Sequence, residues 1–350
     1  MQETTKRQLR LLAITAAAGA VAGVAYMPFV ATTVDIDRAA RFAAQGVLVT
    51  LLTFGFESLV EPSALSERLR RAPFAIVFVT KALIMTFLIV VALGTGGLLL
   101  FPASRWREAP LLTLARDTGY ALVVSSVVQF VLMAQTVVGG RVLINIITGR
   151  YHKPLREERI FMFLDVAGST ALAEKAGAVG AYATISRFFF DVAQETVRFG
   201  GETHEYVGDA VIVTWPLESA RRNVRCLECY FAICDRMARK APGYEREFGL
   251  VPQFRAGLHA GSIVAGECGE NKRQIVYFGD TINTAARVQE ACKAFGRPLL
   301  LSGDLLRQMD LQPTYPAISL GQTKLRGREQ EIELFTVERQ PKVAIERPRP

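Results

Sequence analysis

Histidine is scarce in this chain of 350 residues: there are three, and none precedes His152. A haem held between paired histidines in the first half is thereby excluded. Cysteine is equally uneven. All five, Cys226, Cys229, Cys234, Cys268 and Cys292, lie in the second half. Cys226 and Cys229 form a lone C-x-x-C, and no second pair completes a zinc site. They read as reduced cytosolic thiols. Acidic residues are sparse in residues 1–150, which hold 8 Asp/Glu against 14 Lys/Arg. No run of acidic or polar residues there marks an ion path, which argues against a transporter. The net charge of the chain is +8, and most of the excess belongs to this first half. It flanks apolar segments, so no nucleic-acid partner is expected.

Uncharged apolar sequence fills the first half and lifts the mean hydropathy of the whole chain to +0.23. Four runs carry it: 11–31, 42–56 (reaching 60 past Glu57), 82–104 and 118–140. A bilayer core needs about 20 apolar residues in helix. Residues 1–140 are therefore expected to form an α-helical membrane domain of four transmembrane helices. The first run is too long for a cleaved signal peptide, and three more follow it. Lys6, Arg7 and Arg10 place the N-terminus in the cytoplasm, and Arg68, Arg70 and Arg71 mark the next cytoplasmic side. Arg141, Arg150, Lys153 and Arg156 follow the fourth run, whereas Arg105, Arg107 and Arg116 run against the pattern. An even number of spans leaves residues 151–350 in the cytosol, on a multi-pass protein of the inner (plasma) membrane. Lys81 is either an intramembrane functional residue or, the favoured reading, a snorkelling residue after an interfacial helix over 66–80. Residues 141–158 form a helical linker, with Val142, Leu143, Ile146 and Ile147 on one face and Gly149 and Pro154 at its end. It is either a tether or a signal-carrying helix pair.

The second half reads as strand 159–165, helices across 169–199, and strands 202–207 and 210–215 around a turn at 208–209. Helix 218–240 follows, then strands near 253–260, 262–266 and 273–278, helix 281–294 and a strand near 331–337. The opening order β-α-β-β-α-β is that of a ferredoxin-like palm. Its first strand lies beside the hairpin, so that Asp165 and Asp209 approach each other. Phe163-Leu-Asp-Val-Ala-Gly-Ser-Thr170 ends a buried strand in a carboxylate and turns through small residues into a helix. Asp209 follows Gly208 in a hairpin turn. Either Asp alone is a turn former. Together they suit two Mg²⁺ ions, which bind carboxylates plus substrate phosphates and bracket a phosphoryl centre. The backbone N–H groups from Val166 to Thr170 offer a phosphate cradle, with Ser169 as a plain N-cap the alternative. Asn283 and Arg287 share a helix face, where an amide and a guanidinium suit a ribose oxygen and a charged phosphorus.

Together with Phe254-Arg-Ala-Gly-Leu-His-Ala-Gly261, Phe278-Gly-Asp-Thr-Ile-Asn-Thr-Ala-Ala-Arg287 and Leu325-Arg-Gly-Arg328, these segments resemble the class III nucleotidyl cyclases of membrane-anchored bacterial type. The resemblance covers about 158–338. It implies an α+β palm catalytic domain over 159–338, with a flexible tail over 339–350. It implies that Asp165, Asp209 and the Val166 backbone carbonyl hold two Mg²⁺ (or Mn²⁺). Ala167, Gly168, Ser169, Thr170 and Arg328 (or Arg326) would take the phosphates. Asn283 and Arg287 match the transition-state pair. In the family these groups come from two chains, which implies a homodimer. The ribose 3′-hydroxyl, acidified by a metal, attacks the α-phosphorus and expels pyrophosphate.

The chain departs from the adenylate pattern at the base. Glu205, four residues before Asp209, replaces a lysine, and Val276, seven before Asn283, replaces Asp or Thr. Glu205 accepts from guanine N1 and N2, or from adenine N6, while Val276 offers nothing polar. ATP is the favoured substrate on the bacterial character of the chain, and GTP is the alternative. His204 and His259 read as structural. A cyclase-like module without activity is disfavoured, because Asp165, Asp209, Asn283 and Arg287 are all present. The Gly-Gly-Asp/Glu-Glu-Phe signature of a diguanylate cyclase is absent.

Overall fold

The computed structural model describes residues 16–29, 36–60, 73–100, 148–218, 224–270, 274–326 and 330–340, apart from isolated positions. It divides into two units, 1–139 and 140–350.

In the first unit, an apolar helical stretch, Ala16–Tyr26, ends in the 3-10 turn Met27–Phe29. Helix α1 spans Ile36–Val60 and α2 spans Phe74–Leu100. Gly19 and Gly23 sit four apart against α1. A Cβ on Gly23 would lie 2.0 Å from the Phe42 carbonyl, and one on Gly46 would lie 2.0 Å from the Gly19 carbonyl. Backbone approach through small residues is how helices pack where no water drives them together. Thr50, Thr53, Thr86 and Thr95 return their hydroxyls to carbonyls four residues back, which satisfies them without solvent. Within α2, Ala75–Thr95 is long and apolar enough to cross a membrane, and 22% of it is buried. Ile76, Val79, Leu83 and Phe87 are all more than half exposed along it. The structure differs from the expected interfacial helix over 66–80: α2 runs unbroken from Phe74 and carries Lys81 inside it. The fourth apolar run, residues 141–147 of the expected helical linker 141–158 and the loops between spans lie largely outside the described residues; the rest of that linker is not helical, with turns over 148–151 and strand from Leu155.

The second unit is a mixed sheet. Strand β1 is Leu155–Val166, followed by α3 (Ser169–Arg198), β2 (Glu202–Val207), β3 (Ala210–Pro216) and α4 (Arg225–Phe248). Then come β4 (Phe254–Cys268), β5 (Gln274–Phe278), α5 (Asp280–Ala294), β6 (Leu299–Ser302), α6 (Gly303–Leu306), β7 (Ala317–Thr323) and β8 (Ile332–Val337). The sheet order is β2-β3-β1-β4-β6-β8-β7, with β5 on the extension of β4. Both neighbours of β1 are antiparallel to it, as the palm requires. Three differences from the sequence reading stand out. The expected strands 253–260 and 262–266 are one strand, β1 begins at Leu155, and β6 and β7 were not anticipated.

Alternation along β1 separates two cores. Ile160, Met162 and Leu164 face α3 and α4, whose Phe188, Val192, Leu227 and Ile233 are buried against them. Phe161 faces the other way, with Ile212, Tyr277 and Ala285. Cys226 and Cys229 belong to the first core, and burial pushes the Cys226 thiol up to about 12. Helix α5 covers part of the second face and comes very close to β4. A Cβ on Gly257 would lie 2.2 Å from the Gln289 backbone nitrogen, and one on Gly261 2.8 Å from Thr281 Oγ1. The supposed tail starts inside the fold: Arg339 forks onto both oxygens of Asp235, at 2.8 and 2.5 Å.

Candidate active site

Asp165 is the penultimate residue of β1, half-buried, opposite Ala210 of β3 on one side and Arg255 of β4 on the other. Asp209 occupies the two-residue turn between β2 and β3. Gly208 precedes it with φ +61°, at the position where a II′ hairpin turn requires glycine. The Val166 N–H donates to the Asp209 carbonyl at 3.2 Å, so the end of β1 is tied to that turn. The two carboxylates are near enough to repel. Burial, then the charge of Asp209, raises Asp165 to about 6, against a hydrogen bond from Gln289 Nε2 (3.4 Å) and the charge of Arg255. Two carboxylates held together despite that cost suit a hard divalent cation, which prefers oxygen ligands. Gln289 and Arg255 are the site neighbours the sequence reading missed. Neither carries a local signal, because α5 and β4 reach Asp165 only through the tertiary fold.

The turn after β1 is narrower as a phosphate cradle than expected. The Val166 N–H is engaged with Asp209, and the Ala167 N–H donates to the Gln253 carbonyl at 2.8 Å. Gly168, in the left-handed region at φ 76°, is the N-cap of α3, and no side chain caps the helix. Ser169 is thus the first helical residue and not the cap. The N–H groups open to an anion begin beyond Ala167.

Asn283 and Arg287 lie one turn apart on α5. Thr281, Thr284, Ala285 and Val288 face the sheet. Asn283 is exposed and Arg287 half-buried, and among the described residues neither side chain makes a hydrogen bond or ion pair. Among the described residues of one chain, therefore, no hydrogen bond or ion pair joins them to Asp165 and Asp209. Glu205 is exposed on β2 beside Ile212, and Val276 is half-buried on β5 opposite Gly266. Their strands meet where the His204 ring lies on Tyr277, centroids 4.6 Å apart. Arg326 is exposed, and Arg328 lies outside the described residues.

Comparison with known proteins agrees with this geometry. The adenylate and guanylate cyclase catalytic domain matches residues 153–339. Adenylate cyclase 2 of Rhizobium meliloti (strain 1021) is 35% identical over 299 residues, 84% of this chain and 82% of that protein. That alignment is longer than the stretch from 153 to the end of the chain, so the likeness enters the first half. Adenylate cyclase 1 of the same strain is 29% identical over 188 residues, 52% of this chain and 28% of its own length. Among solved structures, a bacterial light-regulated adenylyl cyclase shares the fold, with 21% identity and a TM-score of 0.54 over 66% of this chain and 67% of that one. The second half of the chain carries a nucleotidyl cyclase catalytic domain, and the chain belongs to the class III adenylate and guanylate cyclase family.

Proposed function

We propose that this chain is a membrane-bound adenylate cyclase, converting ATP to 3′,5′-cyclic AMP and pyrophosphate at sites shared between two copies. One observation carries the reading. The carboxylate pair Asp165/Asp209 and the polar pair Asn283/Arg287 are both present, yet among the described residues no hydrogen bond or ion pair joins them in one chain. A second chain, placed head to tail, brings one pair to the other. Asp165, Asp209 and the Val166 carbonyl are oxygen donors suited to two Mg²⁺ or Mn²⁺ ions. When bound, such ions supply an acidified ribose 3′-hydroxyl and neutralise the polyphosphate. The N–H groups of Ser169 and Thr170, at the positive end of α3, receive phosphate oxygens, with Arg326 or Arg328. Asn283 orients the ribose, and Arg287 stabilises charge on the α-phosphorus as the bond to pyrophosphate breaks. The likeness to an adenylate cyclase over both halves of the chain supports ATP. The apolar, outward-facing surface of α2 supports the membrane half, with α2 as one of four spans of the inner membrane.

Glu205 favours a second reading, a guanylate cyclase, because a carboxylate accepts from both donors on the guanine edge. The test is turnover by the full chain in membranes, with Mg²⁺ or Mn²⁺ and with ATP and GTP supplied separately. Cyclic AMP from ATP supports the proposal, and cyclic GMP alone overturns its substrate. No product from either, in a demonstrably dimeric sample, overturns the catalytic reading of the site.

A further inference from the structure

Strand β2 pairs with β3 in two registers. Glu202 and Thr203 lie opposite Thr214 and Val213, whereas Glu205, Tyr206 and Val207 lie opposite Ile212, Val211 and Ala210. His204 has no opposite number and is the extra residue of a β-bulge, a device that re-aims side chains. Without it, Glu205 would fall opposite Val211, on the face buried beneath α3 and α4, because a one-residue slip moves a strand's side chains to the other side. With it, Glu205 shares the face of Ile212 and Phe163, and Asp165 lies one pair further along β1 on that face.

Three contacts hold the bulge. The His204 ring lies on Tyr277 at 4.6 Å. Two residues earlier, Glu202 accepts from Arg159 Nη1 at 3.2 Å, and the same guanidinium stands 5.0 Å from the Tyr277 ring centroid. Two residues later, Tyr206 packs on Phe189 of α3 at 4.9 Å, which pins the opposite face. We infer that His204 is a positioning residue for base selection: its ring, packed at a tilt of 44° against Tyr277, holds the bulge that turns Glu205 toward the nucleotide. The inference rests on the reading of Glu205 as a base contact.

The test uses the full chain in membranes and measures the KM for ATP, the inhibition constant of GTP, kcat and the melting temperature. His204→Ala and Glu205→Gln should each change the ratio of the two nucleotide constants by about tenfold with a smaller change in kcat. His204→Phe, which keeps a ring against Tyr277, should hold the ratio near that of the parent. If His204→Ala does not accumulate, Tyr277→Leu removes the ring beneath it and should move the ratio alike. A ratio moved by Glu205→Gln but unmoved by His204→Ala or Tyr277→Leu would overturn the role of His204 and leave Glu205 as the base contact. A ratio unmoved by Glu205→Gln would overturn both.

Discussion

Gln289 donates to Asp165 across 3.4 Å, so helix α5 touches the carboxylate at the end of β1 directly. The same helix carries Asn283 and Arg287 on its outward side. Its seat on the sheet therefore sets both halves of the site, and that seat depends on two glycines. At Gly257 the nearest neighbours of an added Cβ are backbone atoms of Gln289, at 2.2 and 2.5 Å. Gly257→Ala is expected to push α5 off β4, costing about 1–3 kcal/mol and most of the turnover. Thermal melting and kcat check this. An unchanged melting temperature would show that α5 can be displaced freely.

Asp165 should be costly to stability in the metal-free protein. Its folded pKa, about 6, lies above its ordinary value of 3.8. The folded state then binds the extra proton, so the contribution of Asp165 is fully present below about pH 4 and lost as pH rises through about 6. Asp165→Asn is expected to melt higher than the parent at neutral pH in chelator, by on the order of 1 kcal/mol after solvent screening. The gap should close on acidification, while turnover is abolished. A variant that melts lower at every pH would refute the repulsion between the two carboxylates.

Mixed dimers test the shared site. Asp165→Ala and Arg287→Ala chains, each inactive alone, should recover about a quarter to a half of parental activity when co-expressed, because one of the two composite sites is intact in a heterodimer. Verified heterodimers without activity would count against a site built from two chains.

Asp191 offers a control away from the site. It is fully buried on α3 and accepts from Arg236, Lys240 and Tyr244, at 3.1, 2.6 and 2.9 Å. Asp191→Ala leaves Lys240 and Tyr244 without this acceptor and Arg236 with Glu195 alone as its carboxylate, which is expected to cost about 3–5 kcal/mol. The surviving folded enzyme should keep its KM for ATP. A changed KM with unchanged stability would contradict a purely structural role.

Much of this protein follows from local chemistry. Gly208 before Asp209 specifies a turn that any such hairpin would make, and the apolar run before Asp165 specifies a strand that ends there. The family resemblance rests on such segments, and the domain match over 153–339 agrees with it. Apolar runs are local too, and among the described residues one of the four expected spans, within α2, is a helix long and apolar enough to cross a membrane. What the sequence could not determine depends on pairs of residues distant along the chain. The N–H of Ala167 is spent on Gln253, Gln289 and Arg255 reach Asp165 from other elements, and β6 and β7 exist because a sheet edge was there to receive them. The bulge at His204 belongs here too. No residue type marks it, and it is decided by the register that buries Val211, sets Tyr206 against Phe189 on the same face and turns Glu205 to the other. Backbone turns are local and their residues announce them; register and packing are agreements between separated segments, and only the folded chain makes them.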